Sequence, residues 1–241
     1  METEDQESCN VYGLNIHGSV VTYYPNYIFD SENNITEDQT SADEIVYYVD
    51  QANNDEKIKA IIVEIDSYGG SPVGGEEMMK AFKHSKKPVV AFIRDVGTSA
   101  AYLAATGAQT IFASRFSDVG SIGITYSYLD YSEKNRKEGV KFIELNSGKF
   151  KDTGNPDKPL SQEELALYQR DIKIARDYFI QMVAENRKLG IAEVSKLADG
   201  STLMGDSALR AGLVDRIGSF YDARELIKEK IGSEVELCWK N

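Results

Sequence analysis

Three short, unbroken apolar runs constrain this 241-residue chain more than any other feature. They lie within 57–66 (KIKAIIVEID, around a continuous Ile-Ile-Val core), 88–93 (PVVAFI) and 110–113 (TIFA), each bounded by charges or turn residues. A strand that is apolar throughout needs cover on both faces, which is the situation of a strand inside a parallel sheet. Helical spacing occupies 41–53 and 76–84, and a small, mostly apolar stretch fills 99–106. Strand and helix in alternation predict an α/β architecture. Short strands are also expected at 11–16, 20–24, 141–145 and 213–216, and a polar helix at 128–138. After Pro159 the texture turns helical, at 161–189, 191–198, 205–211 and 221–231. Ser41 and Ser161 stand where helix caps belong, with Glu44, and Glu163 and Glu164, in the first turns. Residues 1–10 read as a mobile charged tail and 26–40 as a polar loop, leaving 11–241 as a single domain without repeats.

Composition closes several routes. Acidic side chains outnumber basic ones, 39 to 27, for a formal charge of −12, so nucleic acid is not an expected partner. No run approaches the roughly 18 apolar residues of a bilayer span. The start, METEDQE, lacks the basic and apolar regions of a signal peptide, so any membrane association would need a segment outside this sequence. The compartment stays open. Cys9 and Cys238 form no C-x-x-C pair, which removes zinc ribbons and dithiol redox chemistry. Two free thiols are the simpler expectation, with a disulfide as the alternative. No metal or organic cofactor is expected.

Three segments carry residues suited to chemistry. Asp66-Ser-Tyr-Gly-Gly-Ser71 follows a buried strand and precedes a helix. Its adjacent glycines let backbone amides approach a ligand, where they can bind an oxyanion, although a plain tight turn accounts for them equally. Gly97-Thr-Ser-Ala-Ala places Ser99 at a strand-to-helix turn, either as a nucleophile or as a helix cap. Val119-Gly-Ser-Ile-Gly holds Ser121 between glycines, as a side-chain partner or as part of a turn.

A serine nucleophile needs a base. The chain has two histidines, His17 and His84, and neither follows Ser99. His84 lies in a lysine-rich, solvent-facing stretch. A lysine is the remaining choice. Its ordinary pKa of about 10.4 must fall to roughly 7–8, about 4 kcal/mol of destabilised ammonium, which burial and apolar neighbours supply. Lys149 and Lys151 follow the expected strand at 141–145 and would share one side of an extended segment.

Together, Asp66-Ser-Tyr-Gly-Gly-Ser, Ser99-Ala-Ala-Tyr, Gly120-Ser-Ile-Gly and Ser147-Gly-Lys-Phe-Lys-Asp resemble the signal peptide peptidase A family of Ser/Lys serine peptidases. The resemblance runs from about Lys57 to Ile231 and includes the late Ala198-Asp-Gly-Ser stretch. It implies a Clp protease/crotonase-like fold of repeated ββα units with a helical C-terminal extension. By the same resemblance Ser99 matches the nucleophile, Lys151 the general base and Ser121 the serine that orients the lysine amine. Backbone N–H groups of Gly70, Gly69 and Ala100 would form the oxyanion hole. The implied reaction is peptide hydrolysis through an acyl-enzyme, on signal-peptide remnants or other membrane-associated or unfolded peptides. The implied assembly is a homo-oligomeric ring or dome, in which serine and lysine can come from adjacent subunits. The family is usually membrane-anchored.

Two departures stand out. Tyr68 replaces the proline of the family's Asn-Ser-Pro-Gly-Gly, with Asp66 for its asparagine, and Ala100-Ala101 replace the glycines after the nucleophile. Rival expectations are a crotonase-type acyl-CoA enzyme, a catalytically silent scaffold and a phage-type capsid maturation peptidase.

Overall fold

The computed structural model describes residues 9–24 and 38–241. Most of the expected tail and most of the expected loop at 26–40 lie outside the described residues. In chain order the elements are β1 (Val11–Val21), β2 (Gln39–Ser41), α1 (Ala42–Asn54), β3 (Ala60–Gly70), α2 (Pro72–His84) and β4 (Val89–Thr98). Next come α3 (Ser99–Ala105), β5 (Thr110–Ala113), β6 (Asp118–Gly120), α4 (Ser132–Lys137), α5 (Gln162–Arg187) and α6 (Ile191–Leu197). The chain finishes with β7 (Thr202–Met204), α7 (Gly205–Arg210), β8 (Arg216–Ile217), α8 (Phe220–Ile231) and β9 (Leu237–Trp239). Two compact units result: unit 1 is Met1–Ile122 with Phe179–Asn241, and unit 2 is Gly123–Tyr178.

Unit 1 is built on a sheet of order β2-β1-β3-β4-β5-β8. The three apolar runs are its central strands β3, β4 and β5, paired in parallel as their composition requires. Two edges are shared. β9 and β2 lie along the first and last parts of β1, while β5 and β6 do the same for β4. Only β6–β7 is antiparallel among these pairs. Alternation sends Ala60 and Ile62 to one face, where they join Val11, Val90, Phe92 and Phe112 under Ala223, Leu226 and Ile227 of α8. Ile61, Val63 and Ile65 point the other way, the side on which α2 and α3 pack against β3, and are fully buried.

Several expectations need correction. The strands expected at 11–16 and 20–24 are one strand: β1 runs on through His17 to Ser19, where the extra residue of a bulge is carried by β3 between Asp66 and Gly69, and the pairing continues. No strand forms at 141–145, where Ile143 and Leu145 are exposed and no neighbouring strand offers a ladder. The polar helix expected at 128–138 contracts to α4. Cys9 and Cys238 are joined in a disulfide rather than left as free thiols. The reason is tertiary: β9, which sequence periodicity did not reveal, pairs Leu237 with Val11 and Cys238 with Tyr12 and so brings Cys238 beside Cys9.

Unit 2 is different in kind. It holds α4 and the first part of α5, and its residues from 140 to 161 have no regular structure. Its one buried residue is a carboxylate, Glu164. Tyr126, Leu129, Val140, Ile143, Leu145 and Phe150 are all exposed, Leu145 to 92%.

Candidate active site

Strand β4 ends at Thr98 and α3 begins at Ser99 without a connecting loop. The change of direction is made by Ser99 itself, whose φ is +52°. A side chain in the left-handed region is disfavoured by about 1–2 kcal/mol, so such residues persist only where surrounding structure compels them. The compulsion comes from α3, whose Ala100 to Ala105 are all buried. Tyr102 is fully enclosed and donates its hydroxyl to the Leu213 carbonyl at 2.9 Å. Burial pushes that phenol well above its ordinary pKa, so it stays a donor. The result is a half-exposed Ser99 hydroxyl on a buried helix.

The glycine pair lies beside it. A Cβ on Gly69 would stand 2.8 Å from both the Ser99 Cβ and the Ala100 nitrogen, and φ there is +101°. At Gly70, with φ +151°, a Cβ would strike the Val20 carbonyl oxygen at 2.3 Å. Both positions therefore exclude a side chain, and the backbone of 69–70 lies against the start of α3. The N–H of Gly69 donates to the Ser67 hydroxyl at 3.0 Å. Gly70 is paired with Val20, and the Ser71 N–H donates to the Val20 carbonyl. In a parallel ladder that pattern turns Gly70's own N–H away from β1, toward the β4 side. No side chain caps α3, whose first N–H groups have no partner within the helix. Thr98 instead donates its hydroxyl to the Tyr68 carbonyl at 3.1 Å, tying the two strand ends together.

Ser121 occupies the matching position on the next strand. Thr98 and Gly120 are register partners of β4 and β6, so Ser99 and Ser121 each directly follow a paired residue. Ser121 also has a positive φ, +48°. Its hydroxyl donates to the Gly200 carbonyl at 3.0 Å and its N–H to the Ser201 carbonyl at 3.0 Å. The lone pairs of the hydroxyl are then free to accept from an amine. This gives the late Ala198-Asp-Gly-Ser stretch a role that spacing did not disclose: its carbonyls hold Ser121.

Lys149 and Lys151 both belong to unit 2, on a turn over 147–154 rather than on an extended segment. Their alternation argument therefore does not apply. Lys149 is engaged by Glu163 at 2.6 Å and lies over the Phe150 ring. Lys151 is exposed, its backbone N–H donates to Gly148 at 2.9 Å, and among the described residues no carboxylate pairs with its ammonium. His84 Nδ1 donates to the Lys80 carbonyl on an exposed helix end, and His17 faces Glu64 at 3.3 Å. Among the described residues no cluster of His, Cys, Asp or Glu could hold a metal ion, and no helix is long and apolar enough to cross a membrane.

Comparison with known proteins addresses family and fold. The sequence profile of peptidase family S49 matches residues 81–234. A Methanocaldococcus jannaschii chain with a protease name is 32% identical over 76% of this chain and 60% of its own length. An Enterococcus faecium chain named for signal peptide peptidase SppA is 30% identical over 100% of this chain and 70% of its own. The chloroplast serine protease SPPA of Arabidopsis thaliana is 28% identical over 78% of this chain and 28% of its own. The chain thus spans less than two thirds of the archaeal and plant relatives. Among solved structures, the 1510-N membrane-bound stomatin-specific protease superposes with a TM-score of 0.56 at 15% identity, covering 96% of this chain and 97% of that one. ClpP1 of Listeria monocytogenes gives 0.53 at 14%, covering 88% and 93%. These two likenesses establish the Clp protease-like fold.

Proposed function

The chain belongs to peptidase family S49, and from that premise we propose that it is a serine endopeptidase with Ser99 as nucleophile and Lys151 as general base. The observation that carries this reading is the left-handed Ser99 at the head of a buried helix, pressed against a glycine pair that tolerates no side chain.

The reaction is acyl transfer. Ser99 Oγ attacks the scissile carbonyl carbon while its proton passes to neutral Lys151 Nζ. The carbonyl electron pair moves onto oxygen, where the N–H groups of Gly70 and Ala100 donate to it. Gly69 drops out as a donor because Ser67 already accepts its N–H. Collapse of the tetrahedral adduct breaks the C–N bond, and the Lys151 ammonium returns the proton to the leaving amine. A water deprotonated by Lys151 then attacks the ester carbon, and Ser99 is released with its proton restored. Ser121 accepts an N–H from the Lys151 amine, which aims the amine's single lone pair at Ser99, while the Ser121 hydroxyl keeps donating to the Gly200 carbonyl. Substrates of this reading are peptides from signal-sequence remnants or unfolded chains.

The same reading makes the chain a homo-oligomer in which Lys151 serves the Ser99 of a neighbouring subunit. The apolar side chains left exposed along unit 2 support it, since a unit of this size without a core needs a partner to cover it. Ser99→Ala and Lys151→Ala are each expected to lower hydrolysis of labelled casein by at least about 10³-fold while native mass stays that of the assembly. Full activity in either variant would reject the dyad. Thioester turnover without covalent labelling of Ser99 would favour an acyl-CoA enzyme instead.

A further inference from the structure

Lys158 is the hub of unit 2. Its ammonium lies 2.7 Å from Glu144, 3.3 Å from Glu164 and 3.8 Å from Asp152. The three carboxylates come from separate places: Glu144 from the irregular run at 140–161, Asp152 from the turn that carries Lys151, and Glu164 from the first turn of α5. Each is anchored on its own account. Asp152 accepts from the Asn155 amide at 3.2 Å on both oxygens. Glu164 accepts the Ser161 N–H at 2.9 Å, and its own N–H donates to the Ser161 hydroxyl at 3.2 Å, a reciprocal helix cap.

Electrostatics agree with an ionised knot. The Ser161 N–H holds Glu164 below the usual carboxylate range against the opposing effect of burial, with the Ser161 hydroxyl and Lys158 adding to it. Glu144 chiefly holds Lys158 above the ordinary lysine value. No apolar side chain of unit 2 is buried, so this knot stands where a hydrophobic core would be.

We propose that Lys158 is a positioning residue for the general base: by clamping Asp152 against Glu144 and Glu164 it fixes the turn from which Lys151 projects. This rests on Lys151 being the base. Lys158 does not touch the reacting atoms; it acts through Asp152, one peptide bond from Lys151. A base displaced by about 1 Å loses on the order of 10²-fold in rate, and substrate binding elsewhere is untouched. The signature is therefore a fall in kcat with KM preserved.

The test uses the assembled, full-length chain and fluorescent casein, with kcat referred to protein of assembled native mass. Lys158→Met is expected to lower kcat about 10- to 100-fold with KM within about threefold, and Lys158→Arg to recover most of it. Asp152→Asn removes the charge facing Lys158 and one of the two acceptors of the Asn155 amide, and is expected to cost about 3- to 10-fold in kcat. Wild-type kcat per assembled Lys158→Met protein would overturn the proposal. If that variant does not assemble, Asp152→Asn decides: wild-type kcat overturns the positioning role. Lys151→Ala runs alongside. Full turnover there overturns the base reading and this proposal with it, whereas a dead Lys151→Ala beside a fully active Lys158→Met overturns the positioning role alone.

Discussion

Unit 1 encloses Ile61, Val63, Ile65, Phe82 and Tyr102 completely, whereas unit 2 encloses a single glutamate. The first is a sheet covered by helices on both faces, held by non-directional apolar burial. The second has the short α4, the first part of the long α5, an irregular run and an ionic knot around Lys158. The candidate nucleophile sits on the first and the candidate base on the second. A strained serine needs a scaffold that over-determines its backbone, and the packed α3 supplies that. A lysine base needs a long, movable side chain whose setting can be completed on assembly. The contrast teaches that the two halves of one chemistry draw on different sources of order.

That contrast can be broken in several places, from large effect to small. Gly69→Ala forces a Cβ into Ser99 and Ala100, and is expected to cost on the order of 10²-fold or more in kcat/KM with folding retained. Wild-type turnover in that variant would show that the close approach is dispensable. Ile65→Ala removes a fully buried side chain of β3 and is expected to lower unfolding free energy by about 2–5 kcal/mol in denaturant titrations. The same kind of truncation in unit 2, Ile143→Ala, is expected to change protomer stability by less than about 0.5 kcal/mol, while weakening assembly in sedimentation. A large loss of protomer stability there would mean that unit 2 has a core after all.

The pH response should also separate the units. Glu164 has a folded pKa below its unfolded value, so its contribution is full above about 4.5 and is lost as pH falls through the lower folded value. Lys158 has a folded pKa above its unfolded value, so its contribution is full below about 10.5 and is lost as pH rises through the higher one. Hydrogen-exchange protection across unit 2, referred to the intrinsic rate at each pH, should accordingly hold over neutral pH and fall first on acidification. The central strands of unit 1 are held by buried apolar side chains such as Ile61, Ile62 and Val63 and should hold their protection longer. Simultaneous loss in both units would contradict the ionic account of unit 2.

What could be read in advance follows the same division. The apolar runs declared the central strands, because burial on both faces leaves a continuous signature. Ser99 and the glycine pair were legible because strand, turn and helix follow one another locally. β9 and the disulfide were not, since Leu237, Cys238 and Trp239 acquire strand geometry only by lying along β1. The strand expected at 141–145 did not form because Ile143 and Leu145 find no neighbouring strand or core to cover them. The knot at Lys158 gathers Glu144, Asp152 and Glu164, which lie on an irregular run, a turn and a helix, so no single local pattern links them. Only the folded turn makes them neighbours.

The central claim joins Ser99 of one subunit to Lys151 of another. Mixing Ser99→Ala with Lys151→Ala, dissociating and reassembling them together, tests it most directly by hydrolysis of fluorescent casein. The account predicts recovery to about a quarter of wild-type turnover, the statistical share of sites that pair an intact serine with an intact lysine across a symmetric interface. A reassembled mixture of full native mass that stays as inactive as either variant alone would contradict it.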